Sequence, residues 1–413
     1  MKLLNKTYIV ARNVLSRLNS AGFEAYIVGG FVRNFLLGKN DSTDIDIATS
    51  ATPNQVQTIF SKTIETGIKH GTVTVIFEDE SFEITTYRIE SEYQDKRRPS
   101  EVHFTTDLIE DLKRRDFTFN AMAMDYDGNI IDPFNGRIDL ENKIIRTVGN
   151  PDERFEEDPL RILRGIRFLA TLGKGFKIDD KTLSAMSKYA HLLEKISPER
   201  IQIELVKTIV SENVWALKVA YLAGITKYFF PEFDNVDDHI LHTLENIKPT
   251  GALRLTVLLL DIANAKTIMK RLKFDNKTIN LVTNLIEYHN YPLPTTKKAT
   301  RRAINKIGLQ NFPLYLKIRE ADILGQSLSN RELKISQLQL TKQLYFDIIN
   351  DGEATSLDGL AISGRDLINF GIKPGPKMGF ILNELLHLVI ENPIFNTKDK
   401  LLEIVEEKYI EGE

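Results

Sequence analysis

The chain contains no cysteine, which removes disulfides, thiol nucleophiles and thiolate metal sites and fits a reducing compartment. It also has no run approaching the ~20 apolar residues of a membrane span. Its opening, Met1-Lys2-Leu3-Leu4-Asn5-Lys6, lacks the apolar stretch of a secretory signal. These absences lead us to expect a cytoplasmic protein with no membrane partner. Charge of one sign is not in excess either: 54 basic and 57 acidic residues leave a net charge of -3. That sum argues for no particular partner, because a nucleic-acid binder can be acidic overall when its basic residues cluster. Internal repeats and low-complexity linkers are absent as well. What remains is a globular composition, 42% hydrophobic and 27% charged over 413 residues, long enough for about two to four domains.

The residues up to about 148 mix strand and helix signals. Tyr8, Ile9, Val14, Leu15 and Leu18 predict an amphipathic helix over 6–20, and Ala25-Tyr26-Ile27-Val28 reads as a strand. Further strands are expected at 72–77, at 82–87 and near 121–124. Beyond residue 150 helix follows helix, as at 159–172, 198–209, 252–263 and 378–389, with apolar residues three and four apart. The predicted fold class is therefore α+β, a catalytic head with a small mixed sheet on a long all-helical remainder.

Four segments carry chemistry. In Thr43-Asp44-Ile45-Asp46-Ile47 a strand would put Asp44 and Asp46 on one face. Two carboxylates so close call for a cation, and Mg²⁺ suits them because it takes one or two carboxylates plus substrate phosphates. A solvated strand face is the alternative. Gly29-Gly30 upstream allows close backbone approach to a phosphate, and Arg33 can grip its oxygens. Glu83, on an alternating segment, is a candidate third catalytic carboxylate or else a surface glutamate. In Lys113-Arg114-Arg115-Asp116-Phe117-Thr118-Phe119-Asn120 a basic run leads into an apolar strand, so Arg115 could bind phosphate and Asp116 or Asn120 a ribose hydroxyl. Finally, Asp158-Pro159 marks a helix start, with Asp158 as N-cap. Arg161, Arg164 and Arg167 then recur along one face of that helix. Three stacked guanidinium groups need anions beside them, from phosphate or from acidic neighbours in the fold.

Together these segments resemble the bacterial class II tRNA nucleotidyltransferases, the CCA-adding enzymes. The family signatures Gly-Gly-x-Val-Arg-Asp, Asp-x-Asp, Arg-Arg-Asp-Phe-Thr-x-Asn-Ala and Glu-Asp-x-x-Arg appear in order at 29–34, 44–46, 114–121 and 157–161. One departure is Asn34, where the family usually has aspartate. The resemblance implies a head (1–148), a neck with the nucleotide-reading helix (149–212), a body (213–300) and a tRNA-binding tail (301–413). It implies that Asp44 and Asp46 bind the metal, that Gly30, Arg33 and Arg115 hold the nucleotide, and that Asp158 and Arg161 read its base, with Arg164 and Arg167 nearby. Base reading by such a pair has its own logic. Cytosine and adenine each present an amino donor beside a ring-nitrogen acceptor, which matches a carboxylate beside a guanidinium. Guanine and uracil present the reverse order and would leave polar groups unpaired.

The polar segment 91–99 occupies the place of a family loop needed to switch from C to A, so full CCA addition with CTP and ATP is expected over CC-only or A-only addition. A poly(A) polymerase of this type is typically longer with a basic tail, whereas this chain ends in Glu406-Glu407-Lys408-Tyr409-Ile410-Glu411-Gly412-Glu413. A non-catalytic RNA-binding scaffold would have little reason to keep both acids and the base-reading pair. The basic run 297–306 and the glycine-bearing stretch 371–379 are candidate contacts to the acceptor arm of tRNA. His239 and His242 raise a His-Asp phosphohydrolase, but at Leu260-Asp261 the needed His-Asp pair is incomplete, so they read as ordinary helical residues. The oligomeric state is open, a homodimer being one option.

Overall fold

A computed structural model describes residues 6–39, 43–90, 102–233, 237–326 and 331–410. Two compact units divide the chain, Met1–Asn235 and Val236–Glu413.

In the first unit, helix α1 (Lys6–Ser20) buries Val10, Ala11, Val14, Leu15 and Leu18 at three- and four-residue spacing. Strand β1 (Ala25–Val28) leads through Gly29 into helix α2 (Gly30–Leu36). The sheet continues with β2 (Asp46–Thr49), β3 (Thr63–Gly67), β4 (Thr72–Phe77), β5 (Glu80–Thr86), β6 (Ala123–Met124) and β7 (Ile130–Ile131). Its order is β3-β4-β5-β2-β1-β6-β7. The two residues joining β4 to β5, Glu78 and Asp79, both have positive φ, the geometry that keeps a tight hairpin in step with strand twist. At the centre, Val28 of β1 lies opposite Asp46 of β2, and Asp46 lies beside Glu83 of the parallel strand β5. Ile45 and Ile47 are buried while Asp44 and Asp46 are exposed, so the expected alternation holds although the ladder begins only at Asp46.

Helix α3 (Leu108–Lys113) is capped by the Asp107 carboxylate, which accepts from the Ile109 N–H. After it the chain does not run into a strand as expected. It makes a short 3₁₀ turn, Thr118–Asn120, and reaches β6 only at Ala123. Phe117 and Phe119 take the interior on the way; they stack with ring centroids 5.6 Å apart, and Phe168 meets both edge-on. Phe168 belongs to helix α5 (Leu160–Thr171), which follows α4 (Pro151–Glu157) and packs against α6 (Pro198–Ile209). Gly165 lets α5 lie close to Met186 and Phe117, since a Cβ there would stand 3.0 Å from Met186 Cε and 3.2 Å from Phe117 Cζ. The sequence placed a strand over 82–87, but Tyr87 lies past the end of β5 and is fully buried.

The second unit is helical throughout its described residues, including α7 (Asp238–Asn246), α8 (Gly251–Leu259), α9 (Asn276–Tyr288), α10 (Lys297–Ile307), α11 (Phe312–Gly325) and α12 (Pro376–Glu391). Ile381, Leu385 and Val389 of α12 form one cluster with Leu401 and Val405. The boundary expected at residue 300 falls inside α10, which Thr296 caps by accepting from the Ala299 N–H. No described helix is long and apolar enough to cross a membrane.

Candidate active site

In the first unit the glycine pair, the aspartates, the 3₁₀ turn and α5 enclose one cavity of about 690 Å³. Its lining includes eight arginines and four aspartates, Asp44, Asp46, Asp116 and Asp158. Of the expected site residues, Gly30, Arg33, Asp44, Asp46, Arg115, Asp158, Arg161, Arg164 and Arg167 all line it. Glu83 does not: it stands in register with Asp46 on the next strand, close enough to disfavour ionisation of Asp46, but outside the lining. Among the described residues no three acidic or imidazole groups converge at metal-binding distance. The expected third carboxylate is therefore not assembled with the other two.

Asp46 sits at the cavity floor. Partial burial raises its carboxyl above the usual range, Asp44 and Glu83 push the same way, and Arg115 opposes them. Arg115 is held by Asp111, 3.3 Å away, whose other oxygen accepts from Arg114 at 2.9 Å. Burial alone would raise Asp111, but its two arginines outweigh burial and keep it below the usual range. Gly29 makes the close approach possible. Its φ is 71°, and a Cβ there would stand 3.2 Å from Arg115 Nη1 and 3.9 Å from Asp46 Oδ2.

Among the described residues the hydrogen-bond acceptors of Arg33 are both amides. Its Nη1 donates to Asn120 Oδ1 at 2.8 Å, and Nε and Nη2 donate to Asn34 Oδ1 at 3.2 and 3.0 Å. The departure at Asn34 thus leaves a neutral acceptor where an aspartate would form an ion pair. Burial lowers Arg33 to about 10, Asp116 opposing and Arg167 and Arg164 adding to the effect, so it stays cationic at neutral pH. Asn120 in turn donates to Asp116 Oδ1 at 3.0 Å.

Asp116 is saturated. Its Oδ2 accepts from Arg164 Nε at 2.7 Å and from Nη2, while Oδ1 takes Asn120 and the Phe117 N–H, 2.8 Å away. Burial would raise its pKa, yet Arg164 and these hydrogen bonds depress it to about 2. The ribose contact anticipated for Asp116 or Asn120 gives way to this network, which uses their polar atoms internally.

Acidic neighbours likewise answer the charge of all three α5 arginines. Arg161 is buried and donates to Glu157 at 2.8 Å and to the carbonyls of Arg114 and Arg154. Arg164 pairs with Asp116, and Arg167 approaches Glu204 of α6 to 2.8 Å. The anions expected beside them are therefore supplied by the fold. Arg33, Arg164 and Arg167 also share one aromatic platform, with guanidinium carbons 5.3, 5.7 and 4.4 Å from the Phe168 ring centroid. Asp158, expected to cap α5, instead ends α4, and α5 starts one residue later than expected with Pro159 in its cap position. Asp158 Oδ1 accepts from the Leu160 N–H at 3.1 Å, and its Oδ2 accepts from Arg200 Nη2 at 3.1 Å.

Sequence reasoning missed Glu204 and Arg200 as partners of this site. The available signal was weak: both lie four apart on a helix that begins Ser197-Pro198, a spacing common on any solvated helix. The segment 91–99 lies outside the described residues.

In the second unit the basic run on α10 is matched by acidic partners. Lys297 meets Asp351 at 2.6 Å, Arg301 is buried against Glu353 at 2.6 Å, and Lys298 and Arg302 both meet Glu391 at 2.5 Å. Arg301 alone of them is buried, while Lys298, Arg302 and Lys306 stay exposed. The histidines also differ from expectation. His239 bonds Asp322 at 2.9 Å, and with Asp261 and His289 they line a cavity of about 410 Å³. His242 does not line it, and the four residues do not converge as metal ligands.

Comparison with known proteins follows this geometry. Residues 25–146 match the family model of the poly A polymerase head domain, 175–236 that of an RNA- and SrmB-binding site of polymerase A, and 245–405 that of tRNA nucleotidyltransferase domain 2. The chain is 38% identical to the CCA-adding enzyme of Lactobacillus gasseri, covering 98% of this chain and 99% of the relative. It is also 38% identical to that of Enterococcus faecalis, covering 98% and 97%. The crystal structure of the Bacillus stearothermophilus CCA-adding enzyme in complex with CTP superposes with a TM-score of 0.81 at 29% identity, covering 98% of each chain. This chain belongs to the CCA-adding enzymes, a family of nucleotidyltransferases.

Proposed function

We propose that this protein adds C, C and A without a nucleic-acid template to the 3′ end of tRNA, consuming CTP and ATP and releasing pyrophosphate. The observation that carries the reading is the pairing, in one cavity, of two adjacent aspartates with a surplus of guanidinium groups. A nucleoside triphosphate needs both, cationic donors for its phosphates and carboxylates for the cation that accompanies them. The reaction joins the tRNA 3′ oxygen to the α-phosphorus and breaks the bond to the β-phosphate, so pyrophosphate leaves.

Asp44 and Asp46 fit a Mg²⁺ ion: burial and mutual repulsion disfavour the ionised Asp46, and a bound cation would relieve that. When bound, Mg²⁺ neutralises charge on the triphosphate and on the attacking oxygen. Arg33 is the natural phosphate ligand, since among the described residues no carboxylate is hydrogen-bonded to it. Arg115 reaches the same floor beside Gly29, and Gly30 leaves room for the phosphates to approach. Asp158 and Arg161 read the base, while Arg164 and Arg167 shape the pocket around it. Glu83 serves the site from outside the cavity by its charge. The first unit holds the catalytic head and the nucleotide-reading neck, the second the body and tail that grip the acceptor arm. Such an enzyme works in the cytoplasm, with tRNA.

The test is incorporation on tRNA lacking its 3′ end, with CTP alone, ATP alone, both, or GTP and UTP. Two additions with CTP followed by one with ATP support the reading. Long A tails, CC only, or no incorporation would select the poly(A) polymerase, the partial enzyme or the non-catalytic scaffold. Asp158→Ala is expected to admit U and G, and unchanged discrimination would refute protein-templated base choice.

A further inference from the structure

We infer that Arg200 is a positioning residue for base choice, holding the Asp158 carboxylate in the orientation that accepts the amino group of C or A. This rests on the proposed role of Asp158 as base reader. Asp158 is held from two sides, by the Leu160 N–H on Oδ1 and by Arg200 Nη2 on Oδ2, each at 3.1 Å. A carboxylate oxygen has two lone pairs, so each keeps capacity for a further donor after these bonds, and the residue still lines the cavity. The Leu160 bond is local and fixes only one oxygen. The rotation of the carboxylate about its own bond is set by the second contact, which comes from a different helix, α6.

Arg200 differs from Arg161 and Arg164 in its acidic partner and in the number of its bonds. Arg161 donates to Glu157 and to two backbone carbonyls, and Arg164 grips Asp116 with two nitrogens. Asp158 is the acid with which Arg200 pairs, and its Nη1 is buried without a hydrogen-bond partner among the described residues. A buried guanidinium N–H left unpaired is unfavourable, so an arginine that only braced the fold would be a poor choice here. Its free edge and its bond to Asp158 together put a donor directly beside the acceptor that meets the base. With Arg200 gone, Asp158 could turn, and its acceptor would no longer be held against the amino group of C or A. Base choice should then weaken before catalysis does.

The experiment compares wild type with Arg200→Gln and Arg200→Lys on tRNA lacking its 3′ end, measuring kcat and KM for CTP, ATP, UTP and GTP separately. Thermal melting establishes that each variant is folded. For Arg200→Gln the ratio of kcat/KM for CTP over UTP should fall roughly 10- to 100-fold, the worth of a hydrogen bond to a charged group. Arg200→Lys, which restores one charged donor, should recover part of that ratio. An equal loss for all four nucleotides, or no change, overturns the inference, since a merely structural role would not alter the ratio. Should Arg200→Gln fail to fold, Arg200→Lys decides alone: it must show a smaller fall in the same ratio, and a wild-type ratio overturns the proposal. If wild type itself adds no C, C and A, the proposed function fails and not the role of Arg200.

Discussion

Replacing Asp116 by asparagine changes one oxygen for an amide nitrogen, and the structure leaves that nitrogen nowhere to go. Oδ2 accepts from Arg164 at 2.7 Å, while Oδ1 accepts from the Phe117 N–H at 2.8 Å and from Asn120 at 3.0 Å. Whichever way the new amide is turned, its NH₂ faces a donor. Arg164 also loses its buried counter-charge, and breaking a buried pair by removing one partner costs about 3–5 kcal/mol. At roughly 2–4 °C per kcal/mol for a unit of this size, Asp116→Asn should melt about 6–20 °C below wild type. The pH dependence supplies a second check. The folded pKa is depressed to about 2, against roughly 3.9 unfolded. Its contribution is therefore complete above the unfolded value and is lost as pH falls through the folded one, amounting to roughly 2.6 kcal/mol. Melting curves of both proteins should stay a constant distance apart from about pH 5 upward and converge below about pH 4. Where the NH₂ takes the Oδ1 side and leaves the oxygen to the charged Arg164, Asn120 also loses its anchor, and with it the hold on Arg33, so KM for CTP should rise. A melting difference under about 2 °C, or one indifferent to pH, would refute the claim that Asp116 carries the charge of Arg164.

Three further outcomes are expected. Asp44→Asn should abolish incorporation of every nucleotide while leaving the protein folded, and residual turnover with normal Mg²⁺ dependence in an incorporation assay would remove Asp44 from the metal set. Gly29→Ala places a Cβ 3.2 Å from Arg115 Nη1 at a φ of 71°. The left-handed backbone alone costs roughly 1–2 kcal/mol, so a lower melting temperature should accompany a raised KM for CTP, and wild-type values of both would count against the cradle. Lys298→Gln should change tRNA affinity by less than about twofold in a filter-binding titration, because Glu391 already answers that charge at 2.5 Å. A tenfold loss would return α10 to the tRNA interface.

Sequence made the site legible wherever local rules governed it. The Asp44/Asp46 alternation and the turn at Gly29 each depend on neighbours within a few residues, and each stands as expected, while the helix start at Asp158-Pro159 is met to within one residue. Long-range pairing was invisible. Nothing in the spacing of Arg161, Arg164 and Arg167 says that Glu157, Asp116 and Glu204 will meet them, since all three acids lie outside α5. The same blindness hid the partners of α10, since Asp351, Glu353 and Glu391 reach its lysines and arginines from far along the chain. Asp116 was placed at a strand entrance because apolar residues follow it. In the folded chain those residues, Phe117 and Phe119, bury both rings in a 3₁₀ turn instead.

The tethering of these arginines bears on how a protein surface can stand in for a nucleic-acid template. A free arginine side chain has many rotamers, and ordering it at the moment of binding would cost about 2 kcal/mol in lost freedom. It would also accept almost any acceptor within reach, which is useless for discrimination. Here the ordering is completed during folding. Asp116 and Glu204 fix Arg164 and Arg167 from one side, and the Phe168 ring supports both together with Arg33 from another. Internal ion pairs of this kind contribute little net stability, because desolvation offsets most of their attraction. Their value lies in position: a mismatched base meets groups that cannot turn to accommodate it, so the penalty for U or G is an unpaired buried polar group and not a small rearrangement. A cavity whose guanidinium groups were mobile would bind triphosphates well and choose among them poorly.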